Sequence, residues 1–322
     1  MLVIRDTRKS TSVFGSINHE RHIMFKPAQI ILLGYITVIL LGSLILMLPA
    51  MTAPGKDLTF IDAVFTSTSA ICVTGLTVVD TATFFSFWGQ IVILVLIQCG
   101  GLGYMTLTTL IAIGLGRRIE YRDRLALKET FSLETPGGVV RFTLNVLKYT
   151  FTFEALGAFF LLISFIGRYP LPKAIFASIF HSVSAFCNAG FSIFSNNFED
   201  FVQNPLVNIT LCFLIILGGL GFMVLKEIIT KRRVITLHSK VVIRVTILLL
   251  LAGTLLILLF EWDNPNTIGM LSPGYKVLTS FFQAVTPRTA GFNTVPIDSM
   301  RSISLFIIIF LMFIGASPGG TG

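Results

Sequence analysis

Apolar residues come in two run lengths along this chain. Long runs cover residues 28–50, about 87–116, about 149–167, about 205–225 and about 241–260, and a last one begins near Ile303. Between the members of each successive pair lies a shorter, more polar segment. The run 28–50 holds 23 residues; as a helix it would rise roughly 34 Å, enough to cross a hydrocarbon core of about 30 Å. A helix over about 60–71 would rise only about 18 Å, so it enters a membrane and cannot leave on the far side. The pattern predicts span, half-helix, return loop, span, three times over.

The short segments repeat in detail. They read FTSTSAICVTGL at 65–76, FHSVSAFCNAGF at 180–191 and FFQAVTPRTAGF at 281–292. Aligned without gaps, the first place is Phe and the eleventh is Gly in all three: Gly75, Gly190 and Gly291. Serine and alanine at the fifth and sixth places, and cysteine at the eighth, are common to the first two. Thr59 three residues before Asp62 resembles a capping box with Asp in place of Glu. Inside the second spans, CGGLGYMTL at 99–107 returns as LGGLGFMVL at 217–225. Each glycine weakens a helix by about 1 kcal/mol relative to alanine and also permits close packing; tight packing and a bend are both open. The loop-to-span glycine distance is 25 residues in the first unit and 28 in the second, and Gly319 lies 28 beyond Gly291.

Two full crossings return each unit to its starting side, so the units share one orientation around an axis along the membrane normal. The fold class expected is an all-α polytopic membrane protein: pseudo-symmetric helix–pore loop–helix repeats around a central ion pore. The divisions expected are a cytoplasmic tail at 1–27, repeat 1 at 28–116, a basic cytoplasmic loop at 117–148, repeat 2 at 149–226, a second basic loop at 227–240, and repeat 3 at 241–322.

Backbone at membrane depth that is not helical must be buried or line a wet cavity. Carbonyl oxygens there can replace a cation's hydration shell without a full charge. Aiming them inward needs backbone angles that glycine adopts at little cost. The candidate ion-binding residues are Val73, Thr74 and Gly75, then Asn188, Ala189 and Gly190, then Thr289, Ala290 and Gly291, with a cation such as K+ held by their carbonyls. Half-helices that aim their C-terminal ends at the centre add partial negative charge. Acids follow each loop: Asp80, Glu199 with Asp200, and Asp298. They would raise cation concentration at an outer mouth or simply be solvated; both readings stand. Arg288 would repel a cation, so it is expected to turn behind the loop toward an acid or carbonyls. Glu154 lies in a span, where a carboxylate is costly and suggests function; near the predicted start of that span, an interfacial position is equally open.

Composition agrees with a bilayer. Hydrophobic residues are 54% and charged ones 12% of the 322 residues, against about 25% charged in soluble domains. The net charge is +8. Of 24 Lys and Arg, five lie in 1–27, seven in 117–148 and six in 226–244. By the positive-inside rule these segments, and the N-terminus, are cytoplasmic. No nucleic-acid motif accompanies the charge, and residues 1–27 are polar and of mixed charge, with no signal peptide. Cys72, Cys99, Cys187 and Cys212 stand in apolar surroundings and read as small buried hydrophobes. His19 and His22 have no further ligands beside them. SPGGTG near the end lacks the GK[ST] of a phosphate loop. No acid, His or Cys set is clustered in the spans, so an enzyme is not expected.

VTGL at 73–76, FHSVSAFCNAGFS from Phe180, FFQAVTPRTAGFN from Phe281, the two GGLG stretches and the terminal GASPGGTG together resemble the membrane subunit of Ktr-type potassium uptake systems, in the Trk/Ktr/HKT superfamily. The resemblance covers nearly the whole chain. It implies four helix–pore loop–helix units with one filter glycine each, Gly75, Gly190 and Gly291 being the first three. Serine at the first of these goes with sodium passage in the family, so Gly75 implies potassium. It implies an intramembrane gate loop, whose beginning matches Gly315, Ala316, Ser317, Pro318, Gly319, Gly320, Thr321 and Gly322. It also implies a homodimer in the cell membrane, gated by a cytosolic ring that binds ATP or ADP, with transport often dependent on Na+. A fourth unit is missing from these 322 residues. The chain is therefore expected to be cut short before a Gly-rich stretch, a basic loop and a fourth loop ending in glycine. A sodium-coupled carrier of another solute and a sodium-permeable member of the superfamily are the alternatives.

Overall fold

The computed structural model describes residues 27–103, 139–230, 235–317 and 319–321. The N-terminal tail to residue 26, the second run beyond Gly103, the basic segment to residue 138, Pro318 and Gly322 lie outside the described residues. Among the described residues the regular elements are helices; the sole strand-like pairing is an isolated bridge between Thr52 and Phe85.

The first unit comprises α1 (Pro27–Leu46), the half-helix α2 (Phe60–Ile71), a short α3 (Thr81–Phe84) and α4 (Phe87–Leu102). The second comprises α5 (Val139–Phe165), the half-helix α6 (Leu171–Phe186), α7 (Pro205–Leu220) and α8 (Phe222–Thr230). The third comprises α9 (Leu237–Glu261), the half-helix α10 (Pro273–Val285) and α11 (Ser302–Ile314). Thr59 caps α2 as its spacing implies. Its hydroxyl oxygen accepts from the Asp62 N–H at 3.2 Å and its O–H donates to the Asp62 carboxylate at 2.7 Å. The half-helices are 12, 16 and 13 residues long, about 18–24 Å of rise, too short to cross. Helices α5 and α9 are long and apolar enough to cross a membrane, as is the bent pair α7–α8 taken as one span.

Each half-helix packs between the two spans of its own unit, and each second span also touches the next unit's half-helix: α4 on α6, and α7 on α10. The units thus follow one another around a common centre. Their outer faces are apolar, as lipid requires: Leu248, Leu251, Leu255 and Leu259 of α9 are 65–67% exposed. This is the fold of an all-helical polytopic membrane protein.

The register between units is carried by contacts of the half-helices with glycines and leucines outside the loop motif. An ideal Cβ on Gly42 would lie 2.5 Å from the Ser67 hydroxyl and against Leu96; one on Gly157 would lie 2.5 Å from the Ser182 hydroxyl and against Leu214. Ser67 donates to the Ile39 carbonyl at 2.9 Å and Ser182 to the Glu154 carbonyl at 2.7 Å. Gly253 meets Ala284 and Leu311 in the same way. Matching Leu96, Leu214 and Leu311 sets Gly315, not Gly319, opposite Gly100 and Gly218. Helix α11 ends there, with Gly315 at φ +63°.

Candidate ion pathway

Each half-helix stops where its loop motif turns. Helices α2 and α6 end at the seventh place, with Cys72 and Cys187 as C-caps; α10 ends two places earlier, with Thr286 as C-cap before Pro287. Proline has no N–H with which to continue the ladder. The backbone is then the same in all three loops. Val73, Asn188 and Thr289 have φ of +56°, +57° and +67°, and Gly75, Gly190 and Gly291 have φ of +74°, +71° and +76°. The residues between them, Thr74, Ala189 and Ala290, keep ordinary negative φ. Such alternation turns successive carbonyls toward one side. For Val and Thr, β-branched, a left-handed φ is an outlier that only surrounding structure can hold in place.

Hydroxyls and backbone groups of the half-helices supply that hold. The Thr74 N–H bonds the Ser69 carbonyl at 2.9 Å, and the Thr74 and Ser69 hydroxyls meet at 3.0 Å. The Ala189 N–H bonds the Ser184 carbonyl at 2.7 Å, while the Ser184 hydroxyl donates to the Phe191 carbonyl at 2.8 Å. In the third loop the Ala290 N–H bonds the Thr286 carbonyl at 3.0 Å and the Thr286 hydroxyl donates to the Phe292 carbonyl at 2.6 Å.

The three glycines meet. A Cβ on Gly75 would lie 2.6 Å from the Ala189 carbonyl oxygen and 3.2 Å from the Gly190 Cα. A Cβ on Gly190 would lie 2.5 Å from the Ala290 carbonyl oxygen and 3.2 Å from the Gly291 Cα. One loop follows the next: Gly75 faces a carbonyl of the second loop and Gly190 a carbonyl of the third, while a Cβ on Gly291 would lie 3.4 Å from the Gly190 Cα.

The second GGLG stretch both packs and bends. Gly218 lies so close to the Phe186 carbonyl, and Gly100 to the Ile71 carbonyl, that a Cβ on either would collide with it. Gly221, at φ +93°, ends α7, and α8 leaves at a bend of 103°. In an unbroken helix the Gly218 and Gly219 carbonyls would take the N–H groups four residues on. Here Gly218 accepts from the Thr321 N–H at 3.2 Å and Gly219 from the Ser317 N–H at 3.0 Å, while the Phe222 N–H donates to the Gly319 carbonyl at 3.0 Å. The Thr321 hydroxyl donates to the Phe186 carbonyl, the last of α6, at 3.0 Å. The segment after α11 therefore fills the backbone groups that the break exposes, directly behind the second loop. Gly103 ends α4 at φ +77° in the matching place.

Several side chains stand elsewhere than their sequence context suggests. Glu154 is 6% exposed in the body of α5, which begins ten residues before the predicted span. The Gln98 side-chain amide donates to it at 3.3 Å. Arg288 is 4% exposed, and its contact is the Ser317 hydroxyl at 3.5 Å rather than an acid or carbonyl. Its Nε and Nη1 have no partner among the described residues. Cys187 and Cys212 are buried and Cys99 is half-buried, whereas Cys72, which caps α2 as Cys187 caps α6, is exposed.

The acids beyond the loops bind protein groups. Asp80 caps α3, accepting from the Ala82 N–H and the Thr83 hydroxyl at 2.9 Å each, and reaches the next unit by accepting from Ser195 at 2.8 Å. Partial burial raises its carboxyl, but the bonds from Ser195, Ala82 and Thr83, with Lys56 nearby, hold it below the usual carboxylate range. Glu199 accepts from the Asn293 amide of the third unit at 2.8 Å. Partial burial, only partly offset by Asn293, holds its carboxyl above the usual range, and nearby Asp298 and Asp200 push the same way. Asp200 and Asp298 are exposed.

The family model described as cation transport protein, TrkH, matches residues 22–322. The Ktr system potassium uptake protein B of Bacillus subtilis is 42% identical over 301 residues, covering 93% of this chain and 67% of that protein. The potassium/sodium uptake protein NtpJ of Enterococcus hirae is 40% identical over 297 residues, 92% of this chain and 66% of that protein. The crystal structure of the potassium transporter TrkH from Vibrio parahaemolyticus aligns with a TM-score of 0.69 at 19% identity, over 94% of this chain and 59% of that one. The chain thus spans about two thirds of the length of the relatives it matches.

Proposed function

The chain belongs to the TrkH cation transport protein family, and from that premise we propose that it forms part of a selective pore for potassium uptake. The observation that carries this reading is the threefold loop geometry: left-handed backbone at Val73, Asn188 and Thr289 and again at Gly75, Gly190 and Gly291, with adjacent glycines facing carbonyls. A bare K+ rests among the carbonyls of Val73, Thr74, Gly75, Asn188, Ala189, Gly190, Thr289, Ala290 and Gly291, which replace its water. The ends of α2, α6 and α10 point at the loops and add partial negative charge. No side chain carries a full charge to the ion, so it is held without being trapped.

The segment 315–321 acts in this reading as a gate, docked on the broken second span below the second loop. The basic segments are cytoplasmic, the N-terminus with them. As the family resemblance implies, the working form is a homodimer in the cell membrane, and a cytosolic nucleotide-binding ring, holding ATP or ADP, acts on the gate; Na+ stimulates uptake. The likeness to the potassium/sodium uptake protein of Enterococcus hirae favours a second reading, a pore that also passes sodium.

Rubidium and sodium uptake by cells lacking their own potassium uptake separates the two. Gly75→Ser is expected to lower the rubidium-over-sodium ratio sharply. A ratio that is already near one in the parent chain supports the second reading, and a high ratio untouched by Gly75→Ser overturns the role given to the first loop.

A further inference from the structure

The second loop has a fastening that the first lacks. His181 occupies the second place of its motif, on α6, and is fully buried. Its Nδ1 faces the Ala177 carbonyl at 2.8 Å, so that nitrogen donates. Its Nε2 accepts from the Ile193 N–H at 3.2 Å and meets the Ser192 hydroxyl at 3.0 Å. The imidazole is thus held in one tautomer, and its single ring lone pair is aimed at the chain three residues past Gly190. The rings of Phe194 and Phe198 close over it, with centroids 4.5 and 4.8 Å away, and Phe165 stands at 6.2 Å.

The corresponding places elsewhere differ. In the first unit it is Thr66, whose buried hydroxyl has no partner among the described residues. In the third it is Phe282, and the neighbouring Gln283 reaches Thr294, three residues past Gly291, only at 3.5 Å. A leucine would fill the space of His181 in an aromatic cage. It would also leave the Ile193 N–H buried without an acceptor, and a buried orphan donor drives the backbone to move. The backbone that would move runs straight back to Phe191, whose carbonyl holds Ser184, and to Gly190.

We propose that His181 is a positioning residue for ion selection: its acceptor nitrogen fixes the outer limb of the second loop, and with it the Gly190 and Ala189 carbonyls. The role rests on the ion-path reading above. It also ties the second loop to the third unit, since Phe198, packed on His181, bonds the Asn293 carbonyl through its N–H at 3.0 Å.

The test pairs two readouts on the membrane-embedded protein. Rubidium and sodium uptake are measured for His181→Leu, His181→Gln and Thr66→Val, and amide exchange over residues 191–194 is followed by mass spectrometry. Glutamine can present an oxygen where Nε2 stands; leucine cannot. His181→Leu is expected to lower the rubidium-over-sodium ratio about tenfold and His181→Gln by less than about threefold, as loss of one buried acceptor implies. Thr66→Val leaves the ratio unchanged. Exchange at 191–194 accelerates in the leucine variant and not in the glutamine one. A leucine variant with the parent's ratio and the parent's exchange reduces His181 to a core residue and overturns the proposal. A parent that does not favour rubidium overturns the potassium-selective reading instead and supports the pore that also passes sodium, and the exchange data still decide whether His181 holds the loop.

Discussion

Gly218 of α7 rests directly on the carbonyl of Phe186, the last residue of α6, with no room for a side chain between them. Gly100 stands on the Ile71 carbonyl in the same way one unit earlier. The span and the end of the half-helix are thus locked at backbone distance just where the loop begins. Gly218→Ala and Gly100→Ala should each destabilise by about 1–3 kcal/mol, the usual cost of overpacking, or shift the loop. Gly274→Ala, at a site with nothing within 4 Å, is the control and should be neutral or slightly stabilising. Thermal melting of the purified protein with rubidium uptake alongside checks all three; a Gly218→Ala protein that melts and transports like its parent contradicts the packing account.

The row of loop glycines makes a stronger demand. Gly190 combines φ +71° with a neighbouring carbonyl 2.5 Å from where a Cβ would stand. Gly190→Ala therefore meets both a strained backbone and a clash with the Ala290 carbonyl. Uptake of rubidium is expected to fall to background with the protein still present in the membrane. Wild-type uptake by this variant would place the ion path elsewhere.

Two acids beyond the loops should answer pH in opposite directions. The Asp80 carboxyl is held low. Its contribution to stability is complete above the ordinary carboxylate pKa and is lost as pH falls through its folded value. The Glu199 carboxyl is held high, so the folded state favours its protonated form and loses stability as pH rises through the folded value. Asp80→Asn should lower the melting temperature at pH 7, and Glu199→Gln, which keeps an acceptor for Asn293, should raise it. Both groups are largely solvent-exposed, so each effect is about 0.2–1 kcal/mol, roughly a degree or two. Both differences should vanish in acid. Melting curves from pH 3 to 8 decide, and shifts of equal sign refute the assignment.

Much of this architecture was legible in the sequence because its physics is local. Run length separates crossing helices from half-helices, and the eleventh-place glycine marks a backbone that must turn left-handed. Thr59 and Asp62 announced the start of α2. The left-handed residues at the ninth place were not legible: Val73 and Thr289 are poor residues for that conformation, and only Asn188 hints at it. Their geometry is imposed by bonds from the half-helix. Nor were Gly42, Gly157 and Gly253, whose glycine character follows from contacts with serines, alanine and leucines far along the chain. The GGLG stretch offered packing or bending, and the structure divides the work: Gly218 packs and Gly221 bends. Glu154 stood out as a carboxylate in a span but its partner Gln98 did not, and His181 gave no signal, since a polar residue in an apolar run reveals nothing of its partners.

Thr321 links the segment after α11 to the half-helix itself. Its hydroxyl donates to the Phe186 carbonyl at 3.0 Å and its N–H to the Gly218 carbonyl at 3.2 Å. Part of the backbone bonding in this dock can be replaced: were the segment to leave, the Phe222 N–H could return to the Gly218 carbonyl as α7 and α8 straighten. The hydroxyl bond has no such replacement, so it biases the docked state. Thr321→Val keeps the shape and removes that donor. A single hydrogen bond is worth about 0.5–1.5 kcal/mol, so the undocked population should rise about two- to tenfold. If the segment gates the pore, rubidium uptake without added nucleotide should rise by that factor, with the rubidium-over-sodium ratio unchanged because the loops above are untouched. Uptake unchanged in Thr321→Val, with protein level matched, would show that the docked segment does not limit the flux.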